Sequence, residues 1–386
     1  MIYFDNAATT HPIAEARVYH NPSSPHALGI KAERAIRAAR ATLASVLGCA
    51  SDEIIFTSGG TESNNLAILG YTLAHMKLGV CLITSPYEHP SILGPMQFAD
   101  ERGWGKAHVI STSQDNIAGL ADAILYGNSA STPDDSALTD NTLISVSHVN
   151  HETGDINNIN AISTSLKKII PGVKIHVDGA QGFCKENINL RNIDLYSFSG
   201  HKIHGPVGAG GLWVRKGVRL VPLQHGGGQE GGMRSGTENV GAITQLAEAA
   251  GIMHHGVVSN RSHVADIKAV MLSLHDALSD VCINVLGCET SPYILNMSFL
   301  GVKGEVLVHA LSEKGIYVSV GAACRSRKRA RSALEIMGFA PEIAESAIRF
   351  SFSPYNTLEE TEQARDTIIK EVTRLRKVMS VRVKIK

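Results

Sequence analysis

The amino-acid sequence predicts an α/β fold, with a large domain built on a mostly parallel sheet and a smaller α+β domain after it. Two observations support this. Short apolar segments alternate with helical segments through most of the chain, and the pattern changes after about residue 250. Apolar runs between helices are typical of parallel strands that are covered on both faces. With 386 residues, 44% of them apolar, the chain can bury a substantial core.

The first long helix is predicted over residues 31–48. Its apolar positions share one helical face, and a glycine follows them as a natural C-terminal stop. The apolar positions are Ala32, Ala35, Ile36, Ala39, Leu43, Val46 and Leu47, and the stop is Gly48.

Short apolar runs predict the strands of the large domain. The predicted strands are residues 53–57, 80–85, 142–149, 173–178, 194–199 and 209–214. A helix over residues 61–76 follows the first strand, as a strand–helix alternation requires.

The segment after residue 250 indicates a different domain. A long helical stretch leads there into strand-like segments and one further helix, at 282–287, 293–299, 304–314 and 316–320. We therefore expect a large domain over 12–250 and a smaller one that combines 1–11 with 251–386 and carries Cys324.

The composition excludes several classes of partner. Acidic and basic residues balance at 36 each, so no global charge attracts nucleic acid or a membrane surface. No apolar run reaches the roughly 18 residues that a membrane span needs, and the N-terminus lacks the pattern of a secretory signal. We expect a cytoplasmic protein. The six cysteines include no C-x-x-C pair, and no metal site is expected.

A lysine in a glycine-flanked turn is the first candidate for chemistry. Lys202 follows a predicted strand within SFSGHKIHGPVGAGG (197–211). A partly desolvated lysine has a lowered pKa and becomes a usable amine nucleophile. An ordinary surface lysine fits the same local pattern.

An aspartate at a strand end is the second candidate. Asp178 closes the predicted strand in HVDGAQ (176–181), at the edge where open α/β sheets bind ligands. A carboxylate there can keep a pyridine nitrogen protonated, which makes the ring an electron sink. A helix N-cap is an equally good interpretation of Asp178 alone.

A glycine turn between a strand and a helix is the third candidate. FTSGGTESNN (56–65) places Gly60 and Thr61 where backbone N–H groups at a helix N-terminus can cradle a phosphate. The Walker pattern is absent. A tight turn with a helix cap remains the alternative.

A cysteine among small and basic residues is the fourth candidate. Cys324 is followed by five cationic residues within 325–331. Nearby positive charge stabilises a thiolate and makes a cysteine reactive. A solvated basic loop with an incidental cysteine is the alternative.

These four features, in this order, resemble the cysteine desulfurases of the NifS/IscS type, in the class V aminotransferase branch of the fold-type I pyridoxal-phosphate enzymes. The resemblance runs almost end to end. It rests on FDNAATT (4–10), NPSSPHALG (21–29), IIFTSGGTESNN (54–65), EHPSI (88–92), HVDGAQ (176–181), SFSGHKIHGPVGAGGLWVR (197–215), HGGGQEGGMRSGTEN (225–239), the Cys324 segment and IRFSFSPYNT (348–357). It implies a seven-stranded, mostly parallel sheet in the large domain.

The resemblance implies roles around the cofactor, pyridoxal 5'-phosphate. Lys202 forms the Schiff base and moves protons, and Asp178 pairs with the pyridine nitrogen. Gln181 binds the ring hydroxyl, and His89 stacks on the ring as an acid/base. The remaining implied cofactor ligands are Gly60, Thr61, Ser199 and His201 at the phosphate, Thr237 at the phosphate of the neighbouring subunit in a homodimer, and His151.

The resemblance also implies the reaction. Arg349 binds the carboxylate of L-cysteine, a task that suits its two-pronged guanidinium, and Asn21 lies on the substrate side. Cys324 attacks the substrate sulfur, which leaves L-alanine and a persulfide on Cys324. The sulfur then passes to an acceptor protein, an iron–sulfur scaffold or a sulfur carrier for thio-modification.

Three features depart from the family pattern. The stretch over 11–20 is shorter than usual, and the family's VNNE motif has His151 as its third residue. An imidazole there donates a hydrogen bond but titrates near neutral pH, so altered activity or substrate preference is expected. The run over 325–331 is unusually basic and either docks an acidic acceptor or is simply solvated.

Two alternatives stay open. A selenocysteine lyase or another class V enzyme would use many of the same residues, although an aminotransferase needs no Cys324. A degenerate homologue that acts as a binding or scaffold protein would explain His151 and the short N-terminal stretch. The retained Lys202, Asp178, His89 and Cys324 argue against it.

Overall fold

The structure is a computed structural model that describes residues 1–13, 20–110, 138, 140–287, 289–320 and 332–379. The chain forms two compact units. The large unit comprises His11–Val149 and Asn157–His255, and the small unit comprises Met1–Thr10, Asn150–Ile156 and Gly256–Lys386.

The large unit is built on a seven-stranded sheet in the described part of the chain. Its strands are β2 (Ile54–Thr57), β3 (Cys81–Thr84), β4 (Lys106–Val109), β5 (Thr142–Ser147), β6 (Lys174–Asp178), β7 (Leu195–Ser199) and β8 (Gly210–Val214). They are arranged in the order β2-β8-β7-β6-β5-β3-β4. Only β8 runs against its neighbours, so the predicted mostly parallel sheet is confirmed.

Helices cover both faces of this sheet. They are α1 (Ala27–Leu47), α2 (Gly60–His75), α3 (Pro90–Glu101), α4 (Ile159–Ile169) and α5 (Val240–His255). Successive strand residues point to opposite faces: Ile54 and Phe56 pack with α1, α4 and α5, whereas Ile55 packs with α2 and α3. Both faces of the sheet are therefore shielded from water, which explains why its strands are continuous apolar runs in the sequence.

The predicted helix over 31–48 corresponds to α1, which begins four residues earlier at Ala27. Gly48 ends it in the left-handed conformation, with φ of 67° and its N–H bonded to the carbonyls of Ala44 and Ser45. This confirms the expected glycine stop.

The parallel arrangement gathers several chain segments at one edge of the sheet. β2, β3, β5, β6 and β7 all end there, and β8, which runs in the opposite direction, begins there with Gly210. In open α/β sheets this carboxyl edge is the usual place for a ligand.

The small unit contains a three-stranded antiparallel sheet and a two-stranded parallel pair. Its strands are β1 (Ile2–Tyr3), β9 (Val281–Ile283), β10 (Ile294–Phe299), β11 (Ile316–Tyr317) and β12 (Ala347–Ser351). The larger sheet has the order β12-β10-β9, and β1 pairs with β11. Its helices are α6 (Val257–Leu272), α7 (Leu274–Ala277), α8 (Gly304–Glu313), α9 (Ala333–Ile336), α10 (Pro341–Glu345) and α11 (Leu358–Met379).

Across the described ranges, we find no helix whose length and apolar character would let it cross a bilayer.

Candidate active site

The turn between β2 and α2, residues 57–61, is called the phosphate turn below. Gly59 has φ of 152°, a conformation that favours glycine, and α2 begins at Gly60. A methyl group added at Gly59 would lie 3.6 Å from the hydroxyl of Ser199, and one at Gly60 would lie 3.7 Å from the Cβ atoms of Ala180 and Ser199. The helix start, the end of β6 and the end of β7 thus meet around one point.

The environment of Ser199 suits an anion. Its hydroxyl is buried and makes no hydrogen bond to any residue that the structure describes. Unpaired buried hydroxyls are costly, so such a group indicates a ligand. The first N–H groups of α2, beside it, favour a negatively charged one. Thr61, the second residue of α2, is exposed, and His201 lies just beyond Ser199.

Asp178, the last residue of β6, is buried with 7% of its surface exposed. One carboxylate oxygen accepts a hydrogen bond from the backbone N–H of Ala180 at 2.9 Å. The other accepts one from the side-chain amide of Asn64 at 2.8 Å. These two donors fix the carboxylate at the carboxyl edge of the sheet.

Asn64 connects Asp178 to His89. Its Nδ2 also donates to the hydroxyl of Ser91 at 2.8 Å, and that hydroxyl lies 2.7 Å from Nδ1 of His89. Nδ1 of His89 also accepts the backbone N–H of Ser91 at 3.1 Å, which caps α3. Because Nδ1 accepts, the proton of this imidazole lies on Nε2.

Burial, more than the nearby charges, keeps the imidazoles at the site neutral. Burial lowers the pKa of His89, with Lys202 acting in the same direction and Asp178 against it. Burial and the positive charges of Lys202 and Lys185 lower the pKa of His201 to about 4. Near neutral pH, His89 and His201 therefore act as neutral hydrogen-bonding groups.

Lys202 ends a short 3-10 turn, Gly200–Lys202, that follows β7 directly. It is half-buried and electrostatically coupled to His89, His201 and Lys185. Lys185 is almost completely buried, and burial, reinforced by Lys202, lowers its pKa to about 7. Gln181 is also buried, in the turn that follows Asp178.

Arg349 lies on β12 of the small unit and is 7% exposed. Its guanidinium donates to the carbonyl of His151 at 2.9 Å, and it pairs with Glu152 at 3.4 Å and with Asp5 at 3.3 Å. Its Nε is buried without a hydrogen-bond partner among the described residues. The side chain is thus held from two sides with one donor left over.

His151 lies beside Arg349 in the same unit, with its Nε2 3.7 Å from a carboxylate oxygen of Glu152. The preceding Asn150 accepts the backbone N–H groups of Glu152 and Thr153 at 2.8 and 3.1 Å. Asn150 therefore holds the backbone turn that presents His151.

The remaining predicted residues lie elsewhere or outside the described part. Asn21 is exposed and caps the turn before α1, accepting the N–H of Ser23 at 2.9 Å. Thr237 is exposed in the loop before α5. Cys324, the basic run after it, and most of the shortened N-terminal stretch lie outside the described residues.

The sequence motifs contained two residues whose roles were not predicted, Asn64 and Ser91. Both are buried. A usable signal existed, since Ser63 and Asn64 lie on the buried face of α2 beside the apolar residues Leu66, Ala67, Ile68 and Tyr71. A buried polar residue on an apolar helix face needs a partner, and here the partner is Asp178.

Fold-type I enzymes bind pyridoxal phosphate at this edge of such a sheet, and the fold and the site together place the chain in that class. Residues 2–363 match the family described as aminotransferase class-V. A NifS/IcsS protein homolog of Lactobacillus delbrueckii is 36% identical, over 94% of this chain and 95% of its own length. The cysteine desulfurase IscS of Buchnera aphidicola is also 36% identical, over 98% and 94%.

A solved NifS-like protein superposes with a TM-score of 0.85 and 32% identity, covering 97% of this chain and 99% of the other. The chain therefore belongs to the class V aminotransferase family, whose enzymes depend on pyridoxal phosphate, and within it to the NifS/IscS group.

Proposed function

We propose that this chain is a cysteine desulfurase, which converts L-cysteine to L-alanine and passes the sulfur, through Cys324, to an acceptor for iron–sulfur clusters or thio-modification. The observation that carries the proposal is the hydrogen-bonded path from Asp178 through Asn64 and Ser91 to His89. It lies at the sheet edge that also carries Lys202. The name cysteine desulfurase on relatives that match nearly the whole chain supports it.

The residues present fit pyridoxal phosphate. The buried, unpaired hydroxyl of Ser199 and the start of α2 suit its phosphate, and Gly59 and Gly60 leave room for that group. Asp178 suits its ring nitrogen, because a fixed carboxylate keeps a pyridinium protonated. When bound, the cofactor supplies an electron sink that stabilises negative charge on the substrate carbon. Gln181, Thr61, His201 and His151 are further proposed cofactor ligands.

The chain's own groups supply the proton transfers. Lys202 provides an amine at the end of β7, and His89 provides an imidazole whose Nδ1 is already occupied. His89 therefore works through Nε2, which we propose faces the reacting groups. With its proton on Nε2, the neutral imidazole donates from that atom, which is the acid role in general acid/base catalysis.

Arg349 binds the substrate carboxylate in this proposal. Asp5 and Glu152 orient the guanidinium, and its Nε retains a buried, unpaired donor within the described chain. Bidentate arginine–carboxylate pairs combine charge with fixed geometry, so Arg349 selects amino-acid substrates. Asn21 lies on the substrate side in this proposal, and His151 presents its carbonyl to Arg349.

Cys324 accepts the sulfur. Its thiolate forms a bond to the sulfur of L-cysteine, the carbon–sulfur bond of the substrate breaks, and a proton completes the methyl group of alanine. The ends of its segment are fixed: Ser319 bridges to Arg349, with a backbone hydrogen bond of 2.8 Å, and Ser332 caps α9 through a capping box.

The active unit is a homodimer in this proposal. Thr237 follows a glycine-rich, exposed loop and binds the cofactor phosphate of the partner subunit. The acceptor is an iron–sulfur scaffold or sulfur-carrier protein, and the protein acts in the cytoplasm.

A product assay tests the activity. The purified protein is incubated with L-cysteine and a reductant, and alanine and sulfide are measured. We expect both products from the wild type and a loss of at least about a hundredfold in Cys324→Ala, because removal of a nucleophile abolishes its step. The visible absorbance of the bound cofactor should persist. Equal sulfide from both proteins would contradict the role of Cys324.

A matched control is available at Cys282, which is a half-buried free cysteine on β9. Cys282→Ala should keep full activity, because only the sulfur-accepting cysteine is required. A colourless protein that stays colourless with added pyridoxal phosphate would rule out the enzyme altogether.

A further inference from the structure

Two carboxylates fasten the loop over residues 225–239, called the glycine-rich loop, to the phosphate turn and the strand before it. The first is Glu230, on the loop itself. Its carboxylate accepts the backbone N–H of Phe56 on β2 at 2.8 Å and the guanidinium of Arg40 at 2.6 and 2.9 Å. The guanidinium also stacks on the ring of Phe56, 4.5 Å from its centre.

The pair formed by Glu230 and Arg40 is called the first clamp. In the second clamp, the acid and the arginine exchange places. Here the arginine, Arg234, is on the glycine-rich loop, and the acid, Glu62, is in the first turn of α2. Glu62 accepts the Nε of Arg234 at 2.9 Å and the backbone N–H of Ser58 at 2.8 Å. The carboxylates of the two clamps therefore bind the backbone N–H groups of Phe56 and Ser58, just before Gly59 and Gly60.

Both clamps restrict the motion of the glycine-rich loop. The side chain of Glu230 is only 3% exposed, and its backbone has φ of 52°, a strained value for a residue with a side chain. Such strain persists only where the surroundings determine the conformation.

Burial alone would raise the pKa of Glu62, but the hydrogen bonds from Arg234 and Ser58 outweigh it and lower that pKa. The acid is thus ionised at neutral pH.

The glycine-rich loop is also closed internally. The N–H of Gly236 donates to the side chain of Gln229 at 2.8 Å, and the N–H of Gly228 donates to the hydroxyl of Ser235 at 3.3 Å. Glycines would leave such a loop with high conformational entropy, so these bonds and the clamps fix it. Thr237 follows Gly236 directly and remains exposed.

We propose that Glu62–Arg234 and Arg40–Glu230 are positioning pairs, which hold Thr237 in place for the cofactor phosphate of the neighbouring subunit. This inference rests on the homodimer of the proposed function. Each subunit's phosphate turn thereby anchors the residue that completes its partner's phosphate site. A ligand group that is already in place binds without an ordering cost, so the pairs increase affinity for the phosphate.

The test compares two cofactor forms that differ only in the phosphate. Protein stripped of cofactor is titrated with pyridoxal phosphate and, separately, with pyridoxal. Glu62→Gln and Arg234→Lys should weaken pyridoxal phosphate about tenfold and leave pyridoxal unchanged, since only the phosphate contact is lost. The control is Glu33→Gln, which removes an exposed pair with Arg37 on α1 and should change neither.

A double-mutant cycle identifies the route of the effect. Thr237→Ala and Arg234→Lys each weaken pyridoxal phosphate, and the combined variant should bind no more weakly than Thr237→Ala alone, because both remove the same contact. Additive losses, or equal losses for pyridoxal and its phosphate, would overturn the proposal. The cycle needs only the phosphorylated form.

The desulfurase function fails by a different result. A wild type that binds pyridoxal phosphate but releases no alanine from L-cysteine would contradict that function. That result would not affect the test of the positioning pairs, because their test measures cofactor binding and not product release.

Discussion

Asn64 uses both hydrogen atoms of its amide for one task. One binds Asp178 and the other binds Ser91, whose hydroxyl contacts His89, so one side chain positions both residues that we propose flank the cofactor ring. The carboxylate of Asp178 is buried, and each of its donors therefore contributes strongly to its placement.

Replacing Asn64 tests this arrangement. Asn64→Ala removes a donor from a buried carboxylate, which costs about 1–3 kcal/mol, and should weaken cofactor binding by about tenfold or more. Titration of the cofactor-free variant measures the loss. Asn192→Ala removes an exposed amide that donates to Thr164 and should bind normally. Unchanged affinity in Asn64→Ala would mean that Ala180 alone holds Asp178.

Glu88, next to His89, carries a proton at neutral pH. Burial raises the pKa of its carboxyl from 4.5 to about 8; the hydroxyl of Ser85 opposes the shift and the charge of Asp178 adds to it. The folded state therefore keeps a proton that the unfolded chain releases above its own pKa. Stability from this site is full below pH 4.5 and declines as the pH rises towards about 8.

Glu88→Gln should remove this decline, because an amide never ionises. Relative to the wild type, its melting temperature should rise between about pH 5 and about pH 8. Scanning calorimetry at both pH values measures the difference. Glu101→Gln, at an exposed helix end, should track the wild type at both. Parallel pH dependence of Glu88→Gln and the wild type would show that Glu88 is ionised.

Residues that react are easier to predict from sequence than residues that hold them. Lys202, Asp178 and His89 stand in motifs with chemical meaning, and the structure couples them at one sheet edge. Asn64 is an ordinary polar residue in a helix until its buried face is known. Arg349 was predicted, but its partners Asp5 and Glu152 come from distant parts of the chain, and sequence spacing carries no such information.

At the scale of elements, the first residue of β8 lies in close contact with the phosphate turn. A methyl group at Gly210 would lie 2.6 Å from the Cα of Gly59 and 2.6 Å from the carbonyl oxygen of Phe198. Both obstacles are backbone atoms that a side-chain rotation cannot remove. The glycine is needed because β8 begins beside the start of the phosphate turn, where Gly210 pairs with Thr57.

Gly210→Ala should therefore lower the free energy of unfolding by about 1–3 kcal/mol and weaken pyridoxal phosphate. Urea unfolding and cofactor titration measure the two effects. Gly94→Ala is the control: it lies inside α3 with nothing within 4 Å of the added methyl group. It should stabilise by about 0.5–1 kcal/mol. Similar effects at the two glycines would contradict the close approach.

Strands that are buried on both faces were predictable, whereas β4 was not. β2, β3 and β5 to β8 appear in the sequence as apolar runs, which the structure reproduces to within one or two residues. β4 has the sequence KAHV and lies at the sheet edge with exposed ends. An edge strand buries less, so its sequence need not be apolar and gives little signal.

At the scale of the molecule, the chain leaves the large unit for seven residues. Asn150–Ile156 belongs to the small unit, where Asp155 accepts the N–H groups of Leu286 and Gly287 and pairs with Thr290. Sequence composition reveals a domain boundary only where the pattern of apolar and polar residues changes over a long stretch. A seven-residue excursion is held by individual hydrogen bonds and leaves no such trace in the sequence.

The proposed dimer predicts complementation between inactive subunits. Lys202→Ala lacks the amine and Thr237→Val lacks the contact to the partner's phosphate, so each alone should be nearly inactive. In a mixed dimer, one site regains both groups. Random exchange should then restore about a quarter of the wild-type activity, since half of the dimers are mixed and each has one intact site. Alanine release from mixed subunits measures it, and no recovery would place Thr237 in its own subunit's site.

The contact between Gly59 and Gly210 also limits how this sequence can evolve. A side chain at Gly210 fits only if the backbone of Gly59 shifts, and that shift would move the segment that begins α2. Gly59 is restricted by its own backbone, because its φ of 152° favours glycine. A substitution at either position is thus selected against by itself. Both positions should tolerate no single replacement in a saturation library, although they lie about 150 residues apart in the chain.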